Sequence, residues 1–408
     1  MARKMKDSGI EWIGEIPEGW EVVQLKRFAE AHNGREIEVE VDSTDSSAVG
    51  VYGSGGVFKY TNHAQHSGKA VLFGRKGTLG KPLYVEGQLW AVDTMYFLTY
   101  SNRLLEKFSY YQLLVFNWAP HITHTAIPSV VASEIVACYF PIPPLEEQAK
   151  IADHLDNSCA SLDAILDKTR SSIEEYKKLK QAVITQAVTK GVRSKREMKN
   201  SGVDWIGEIP AEWSICPLKR LAAIQTGSTP SKTSSESFYS SIAGTPWIKP
   251  DNLGFSSSIE TTAEFLTEEG CSIARILPSN TVYVGCIGSR IGNCGYSFIP
   301  CACNQQINAL IFNARMYWKY GWYLTIFQEE QYMLLANGNV IQIINSTTQG
   351  NISCIVPSIS EQKEIVDYLD AKCAEIDRLI AKKEQLVKEL ESYKKSLIYE
   401  VVTGKREV

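Results

Sequence analysis

Two long stretches of the chain carry the hydrophobic period of an α-helix. After Pro141, Pro143 and Pro144 no Pro or Gly occurs until Gly191. Across that stretch apolar residues recur at Ile151, Leu155, Leu162, Leu166, Ile173, Tyr176, Val183 and Ala187, in steps built from threes and fours. The second stretch repeats the pattern with Ile365, Leu369, Ile376, Ile380, Val387, Leu390, Leu397 and Val401. Glu174, Glu175, Lys177, Glu384 and Lys388 occupy the remaining faces. The spacing predicts two amphipathic helices, over 146–192 and 357–408, each roughly 65 Å long. A single such helix reads as a dimerisation zipper. Two in one chain can pair with each other, antiparallel, as a coiled coil that serves as a spacer.

Ahead of each helix the pattern changes to short β-branched and aromatic runs between Gly-rich turns. "AVLFG" and "MYFLTY" precede the first helix, and "TVYVGCIG" and "NALIF" the second. These predict two compact α+β domains with twisted sheets. "SYYQLLVFNW" and "WYLTIFQEEQYMLL" are their predicted helical pieces.

The chain also says one thing twice. "SGIEWIGEIPEGW" from Ser8 returns as "SGVDWIGEIPAEW" from Ser201, with nine of thirteen positions identical, and the register holds to "LKR" at Leu25 and Leu218. "EQAKIADHLDNSCASLD" from Glu147 returns as "EQKEIVDYLDAKCAEID" from Glu361, in the two helices. The stretches between, about 21–140 and 214–356, show little evident similarity. The expected plan is a frame with a first insert over 1–145, a helix over 146–192, a second frame and insert over 193–356, and a helix over 357–408. Two copies of one scaffold presenting two different heads suit a device that binds two different things.

Length and composition fit this plan. At 408 residues there is room for two or three domains, and 44% hydrophobic with 22% charged residues is ordinary for a soluble globular protein. No apolar run approaches the roughly 20 residues that cross a bilayer. "MARKMKDSGI" has no apolar core of a secretory signal, so a cytoplasmic location without membrane contact is expected. The net charge of −4 counts mildly against a nucleic-acid partner, although an associated subunit can supply a positive field.

Catalytic patterns are sparse. "GRKGTLGK" over 74–81 departs from a phosphate loop, with Arg75 in place of the first Gly and Pro82 where a hydroxyl should follow the Lys. The pairs His63/His66 and His121/His124 have no acidic residue between them as a metalloprotease helix would. Cys286, Cys294, Cys301 and Cys303 lack paired zinc spacing and read as reduced core residues. No nucleophile, base and orienting group assemble, so the chain is expected to perform no chemistry alone. An enzyme using the cysteine cluster with zinc is one rival reading. Another is a non-catalytic coiled-coil adaptor that binds two protein partners without DNA.

"DSGIEWIGEIPEGWEVVQLKR", the exit "FPIPPLEEQAKIADHLD" with its helix, and "GSTPS…PWIKPDNL" together resemble the specificity subunit of type I restriction-modification enzymes. "VLFGRKGTLG" and "CNQQINALIF" resemble segments common in that family's inserts, and the likeness covers essentially the whole chain. The resemblance implies two α+β target recognition domains separated by two long antiparallel coiled-coil helices in a pseudo-two-fold internal repeat. Each domain would read one half of a split, asymmetric site on double-stranded DNA. The helices would set the spacer, and the frames would dock two modification (methyltransferase) subunits. Those partners would hold S-adenosylmethionine and methylate adenine, while separate restriction/motor subunits would use ATP and Mg. No cofactor is expected in this chain.

Candidates for DNA contact follow from residue chemistry. In the first insert they are Arg75 and Lys76, in a Gly-flanked loop, with Lys59, Tyr60, His66 and Lys69. In the second they are the polar turn Ser228, Thr229, Ser231 and Lys232, then Lys249 beside Trp247, Ser289, Arg290, Gln305 and Gln306. Arg can pair with guanine and Gln with adenine. Trp12, Trp20, Trp205 and Trp213 recur with the frame, and packing against the helices accounts for them better than base stacking.

Overall fold

The phrase that the chain repeats folds the same way both times. In this computed structural model, which describes residues 3–123, 127–230, 237–254, 258–338 and 341–408, Met5–Asp7 pairs antiparallel with Glu15–Pro17, and Met198–Asn200 with Glu208–Pro210. Gly14 and Gly207 turn these hairpins at φ of 72° and 73°, a conformation that disfavours any side chain. The chain forms two compact units, one from Met1–Ser171 with Lys383–Val408 and the other from Ser172–Lys382.

In each unit the frame ends on a buried Trp that fixes the start of a long helix. Trp20 Nε1 donates to Glu147 Oε2 at 3.0 Å, and Trp213 Nε1 to Glu361 Oε2 at 2.9 Å. Arg3 and Arg196 lie over the two indoles and bridge to the same carboxylates at 2.6 and 2.5 Å. Beyond each Trp the chain enters a two-stranded neck. Glu21–Gln24 pairs with Tyr139–Ile142, and Ser214–Pro217 with Ser353–Val356, both antiparallel. Each head therefore leaves and re-enters its frame at one point.

The helices Leu145–Lys190 and Ile359–Val402 begin directly behind the necks. Gln148 Oε1 accepts from Leu105 N and Gln362 Oε1 from Tyr317 N, at 2.8 and 2.6 Å. Two turns further, Asp156 accepts from Lys107 and Tyr111, and Asp370 from Lys319 and Tyr323. These bonds clamp each head to the helix that follows it. Within the first unit Asp163 pairs with Lys394 and Arg170 with Glu391, both at 2.6 Å. Within the second, Lys180 pairs with Asp377 at 2.8 Å and Arg193 with Glu364 at 2.6 Å. Numbers rise along one helix as they fall along the other, so the pairing in each unit is antiparallel.

Glycines at the helix C-termini complete the arrangement. Gly191 and Gly404 have φ of 73° and 70°, as helix-ending residues do. A Cβ at Gly191 would lie 3.1 Å from Trp213, and one at Gly404 3.1 Å from Trp20. Each frame thus holds the start of one long helix and the end of the other, and two such grips require the frame twice. Trp12, 6.4 Å from Tyr399, and Trp205, 5.4 Å from Phe327, are likewise packed against the fold. None of the described helices is long and apolar enough to cross a membrane.

The heads share a core that their sequences conceal. In the first, neighbouring strands run Ala29–Asn33, Met95–Tyr100, His66–Gly74 and Leu83–Ala91, then the hairpin Val49–Gly53 with Gly56–Thr61. In the second they run Ala222–Thr226, Ile307–Phe312, Thr281–Gly285 and Cys294–Ser297. The first four strands follow the same order in both, all antiparallel, and a helix follows the second of them, Glu106–Val115 or Trp318–Phe327. Val71, Phe73 and Leu98 fill one core, and Val282, Val284 and Leu310 the other. The heads differ in what is added: a hairpin in the first, and in the second a small sheet of Tyr239–Ser240, Phe265–Leu266, Thr245–Ile248 and Ala302–Cys303.

Candidate nucleic-acid interface

In the second head three loops meet at one rim. Gly227 ends the first core strand, where a Cβ would run into the carbonyl oxygens of Cys303 and Asn304, so only Gly allows the backbones this close. Gly227 N and Ser228 N donate to Ile307 O and Cys303 O, both at 2.9 Å, around the turn Asn304–Gln305–Gln306. Cys286 N donates to Gln306 O at 2.9 Å, joining that turn to the loop with Ser289 and Arg290. Gly288 N donates to Gln342 O, and Ile344 N to Cys286 O, adding the third loop. Gln305 is exposed at the tip and engages the Thr229 hydroxyl, while Gln306 accepts from Asn304 Nδ2 at 3.2 Å. Arg290 lies 3.6 Å from Asp251, and the Arg275 guanidinium donates to Thr226 O while its backbone N–H donates to the Ser228 hydroxyl. Lys249 reaches the same rim, since Ile248 O accepts from Asn304 N, but its ammonium is met by Glu264 at 2.7 Å and the Trp247 ring at 4.9 Å.

The first head has a rim of the same make. A Cβ at Gly34 would collide with Val92 O, and Gly34 N and Arg35 N donate to Met95 O and Ala91 O, both at 2.9 Å. Arg75 N donates to Thr94 O at 2.8 Å, Gly77 N to Pro128 O at 3.1 Å, and Val130 N to Arg75 O at 3.0 Å. The Arg75 guanidinium lies over the Tyr96 ring, with Lys76 exposed beside it. The sheet curls so strongly that the turn after Ala91 reaches both ends of His66–Gly74. Ala91 N donates to Gln65 Oε1 near one end, and Thr94 O accepts from Arg75 at the other.

The structure thus gathers Arg75 and Lys76 at one rim, and Thr229, Lys249, Ser289, Arg290, Gln305 and Gln306 at the other. Lys59, Tyr60, His66 and Lys69 lie on strands of the first sheet. Lys59 is bound to Glu40 at 2.7 Å, Tyr60 sits opposite Gly50, and Lys69 lies opposite Glu86. His66 rests against Phe97, and its Nε2 has no partner among the described residues. Ser231, Lys232 and His124 fall outside the described residues. Sequence reasoning missed Arg35, Asp93, Thr94, Arg275 and Gln342. One signal could have found the rims: Gly34 and Gly227 stand at the same offset of 193 as the frame phrases.

Cys286, Cys294, Cys301 and Cys303 are buried and free. Burial pushes the Cys286 thiol up to about 11 and Cys303 to about 12, and raises Cys294 and Cys301 as well. At neutral pH they are thiols, which are weak ligands and nucleophiles. Among the described residues no three His, Cys, Asp or Glu come together to hold a metal ion.

Two matched heads on a duplicated frame can be set beside known proteins. The type I restriction modification DNA specificity domain matches residues 17–175 and 210–390, once per repeat. The chain belongs to this family. It is 27% identical to the type I restriction enzyme MjaVIII specificity subunit of Methanocaldococcus jannaschii, over 96% of this chain and 93% of that one. It is also 26% identical to the EcoR124I/EcoR124II specificity subunit of Escherichia coli, over 40% of this chain and 41% of the relative. A chain solved in work on complex assembly and conformational transition of the type I R-M system shares the fold. Its TM-score is 0.72 at 17% identity, covering 96% of this chain and 99% of that one. This is a type I restriction-modification DNA specificity subunit, a class that in general is not itself catalytic. The adaptor reading is not favoured.

Proposed function

We propose that each head of this specificity subunit reads one half of a split, asymmetric site on double-stranded DNA. The long helices fix the number of base pairs between the halves. The two frames dock two modification subunits, which hold S-adenosylmethionine and methylate adenine, and restriction/motor subunits with ATP and Mg complete the assembly in the cytoplasm. The holoenzyme requires this chain to find its target. The observation that carries the reading is one rim backbone built twice with different side chains, on a frame also built twice. Equivalent docking surfaces suit two copies of one partner, and different rims suit two different half-sites.

The test is to co-express the chain with its cognate modification subunit and map methyladenine by long-read sequencing. A single split motif with a fixed spacer is expected, and exchanging residues 21–140 should change one half only. Co-purification of the two proteins without any methylated motif would overturn the reading. One helical turn is about 5.4 Å and one base-pair step about 3.4 Å. Deleting one turn from both helices should therefore shorten the spacer by on the order of one base pair, and an unchanged spacer would refute the ruler.

A further inference from the structure

The internal repeat aligns the two heads residue by residue at the rim, through the backbone bonds they share. Gly34 and Arg35 correspond to Gly227 and Ser228, because each pair donates to the same positions of the facing turn. That turn runs from Ala91 to Met95 in one head and from Cys303 to Ile307 in the other. Thr94 and Gln306 correspond, since their carbonyls accept from Arg75 N and Cys286 N. Asp93 and Gln305 are therefore equivalent. Each is the exposed middle residue of its turn, with buried residues at both turn ends.

We infer that Asp93 and Gln305 are matched base-reading residues, one for each half of the site. The inference rests on the DNA-reading function proposed above. Three observations support it. First, the turn is held from two sides in each head, by the Gly34 or Gly227 approach and by the loop carrying Arg75 or Cys286. The tip residue is thus presented from a fixed backbone, as direct readout needs.

Second, the backbone around the tip is the same in both heads while the tip side chain differs. All five turn positions differ between the heads, and the tip is the one whose side chain is exposed, where a difference can be read by a ligand. Third, cationic residues stand beside both tips: Arg35, Arg75 and Lys76, whose backbone N–H groups bond the turn of Asp93, and Arg275 and Arg290 in segments next to the turn of Gln305. Phosphate contacts from these would bring a groove to the tip. Asp93 has no ion-pair partner among the described residues. A bare carboxylate repels phosphate, but it accepts a hydrogen bond from the exocyclic amino group of cytosine or adenine. Gln305 can donate and accept at once, which fits adenine.

The experiment uses the full chain with its modification subunit and compares methylomes for wild type, Asp93→Asn and Gln305→Ala. Asp93→Asn should relax or change one base of the first half-site and leave the second half-site and the spacer as they were. Gln305→Ala should do the converse. In duplex binding by the same complexes, discrimination at the affected base should fall about tenfold. This second readout also applies to a variant that methylates too weakly to map. Full wild-type discrimination at every position in both variants overturns the inference and leaves the subunit's DNA-reading function standing. A wild-type complex that yields no motif overturns that function, and the inference with it.

Discussion

Replacing Glu361 by Ala removes one carboxylate from between a buried indole and a partly buried guanidinium. Its side chain is 3% exposed, with Oε1 2.5 Å from the Arg196 guanidinium and Oε2 accepting the Trp213 indole N–H at 2.9 Å. The variant leaves Arg196 with only Glu212 and the indole with no acceptor. Breaking a buried pair from one side costs about 3–5 kcal/mol. The equivalent Glu147 is 26% exposed, so water can replace much of what Glu147→Ala removes, at a cost of about 1–2 kcal/mol. For a unit of this size 1 kcal/mol moves the midpoint by roughly 2–4 °C. Calorimetry of the full chain should therefore show one transition lowered by roughly 6–20 °C in Glu361→Ala and the other by roughly 2–8 °C in Glu147→Ala. A two-unit chain need not unfold in one step, so the comparison is between transitions. Glu361→Gln, which keeps an acceptor, should recover part of the loss. Equal shifts for the two Ala variants, or a shift below about 2 °C for Glu361→Ala, would refute the argument from burial.

The Lys180 side chain is 8% exposed and bound to Asp377. Asp377→Ala, which strands the ammonium, should destabilise the second unit more than Lys180→Met, which removes the charge and its need together; urea titration gives the order. Burial, and then Glu330, raise the Glu329 carboxyl above its ordinary 4.5. Its favourable contribution is full below pH 4.5 and is lost as pH rises through the raised value. Glu329→Gln should therefore stabilise at pH 7, with the gain fading toward pH 4, as melting curves at several pH values would show. Gly227→Ala should abolish selective binding through the second half-site, because its Cβ overlaps two carbonyls; Gly55→Ala, which meets nothing, is the control in binding to single half-site duplexes.

The long helices are legible in the sequence because their signal is local: an unbroken period and the absence of Gly and Pro. The frame is legible because it is written twice. The common core of the heads is not, since its strands pair residues as distant as Ala222 and Phe312, and any apolar side chain of suitable size fills such positions. Candidates chosen for charge fared unevenly for the same reason. Lys59 and Lys249 look free in the sequence, yet Glu40 and Glu264 come to them through the fold. Asp93 and Thr94 occupy a short turn with no compositional mark, so nothing short of the backbone bonds reveals their match to Gln305 and Gln306.

The unit that contains the first head also contains Lys383–Val408, whereas the second unit is one continuous stretch, Ser172–Lys382. During synthesis the second unit can close as soon as its own residues have emerged. The first must wait with Trp20 lacking the helix end that carries Gly404. A chain tethered to the ribosome through a linker fused after residue 382, so that the whole second unit has emerged, should resist protease across that unit and remain open across the first. What the ribosome makes earliest, the protein finishes last.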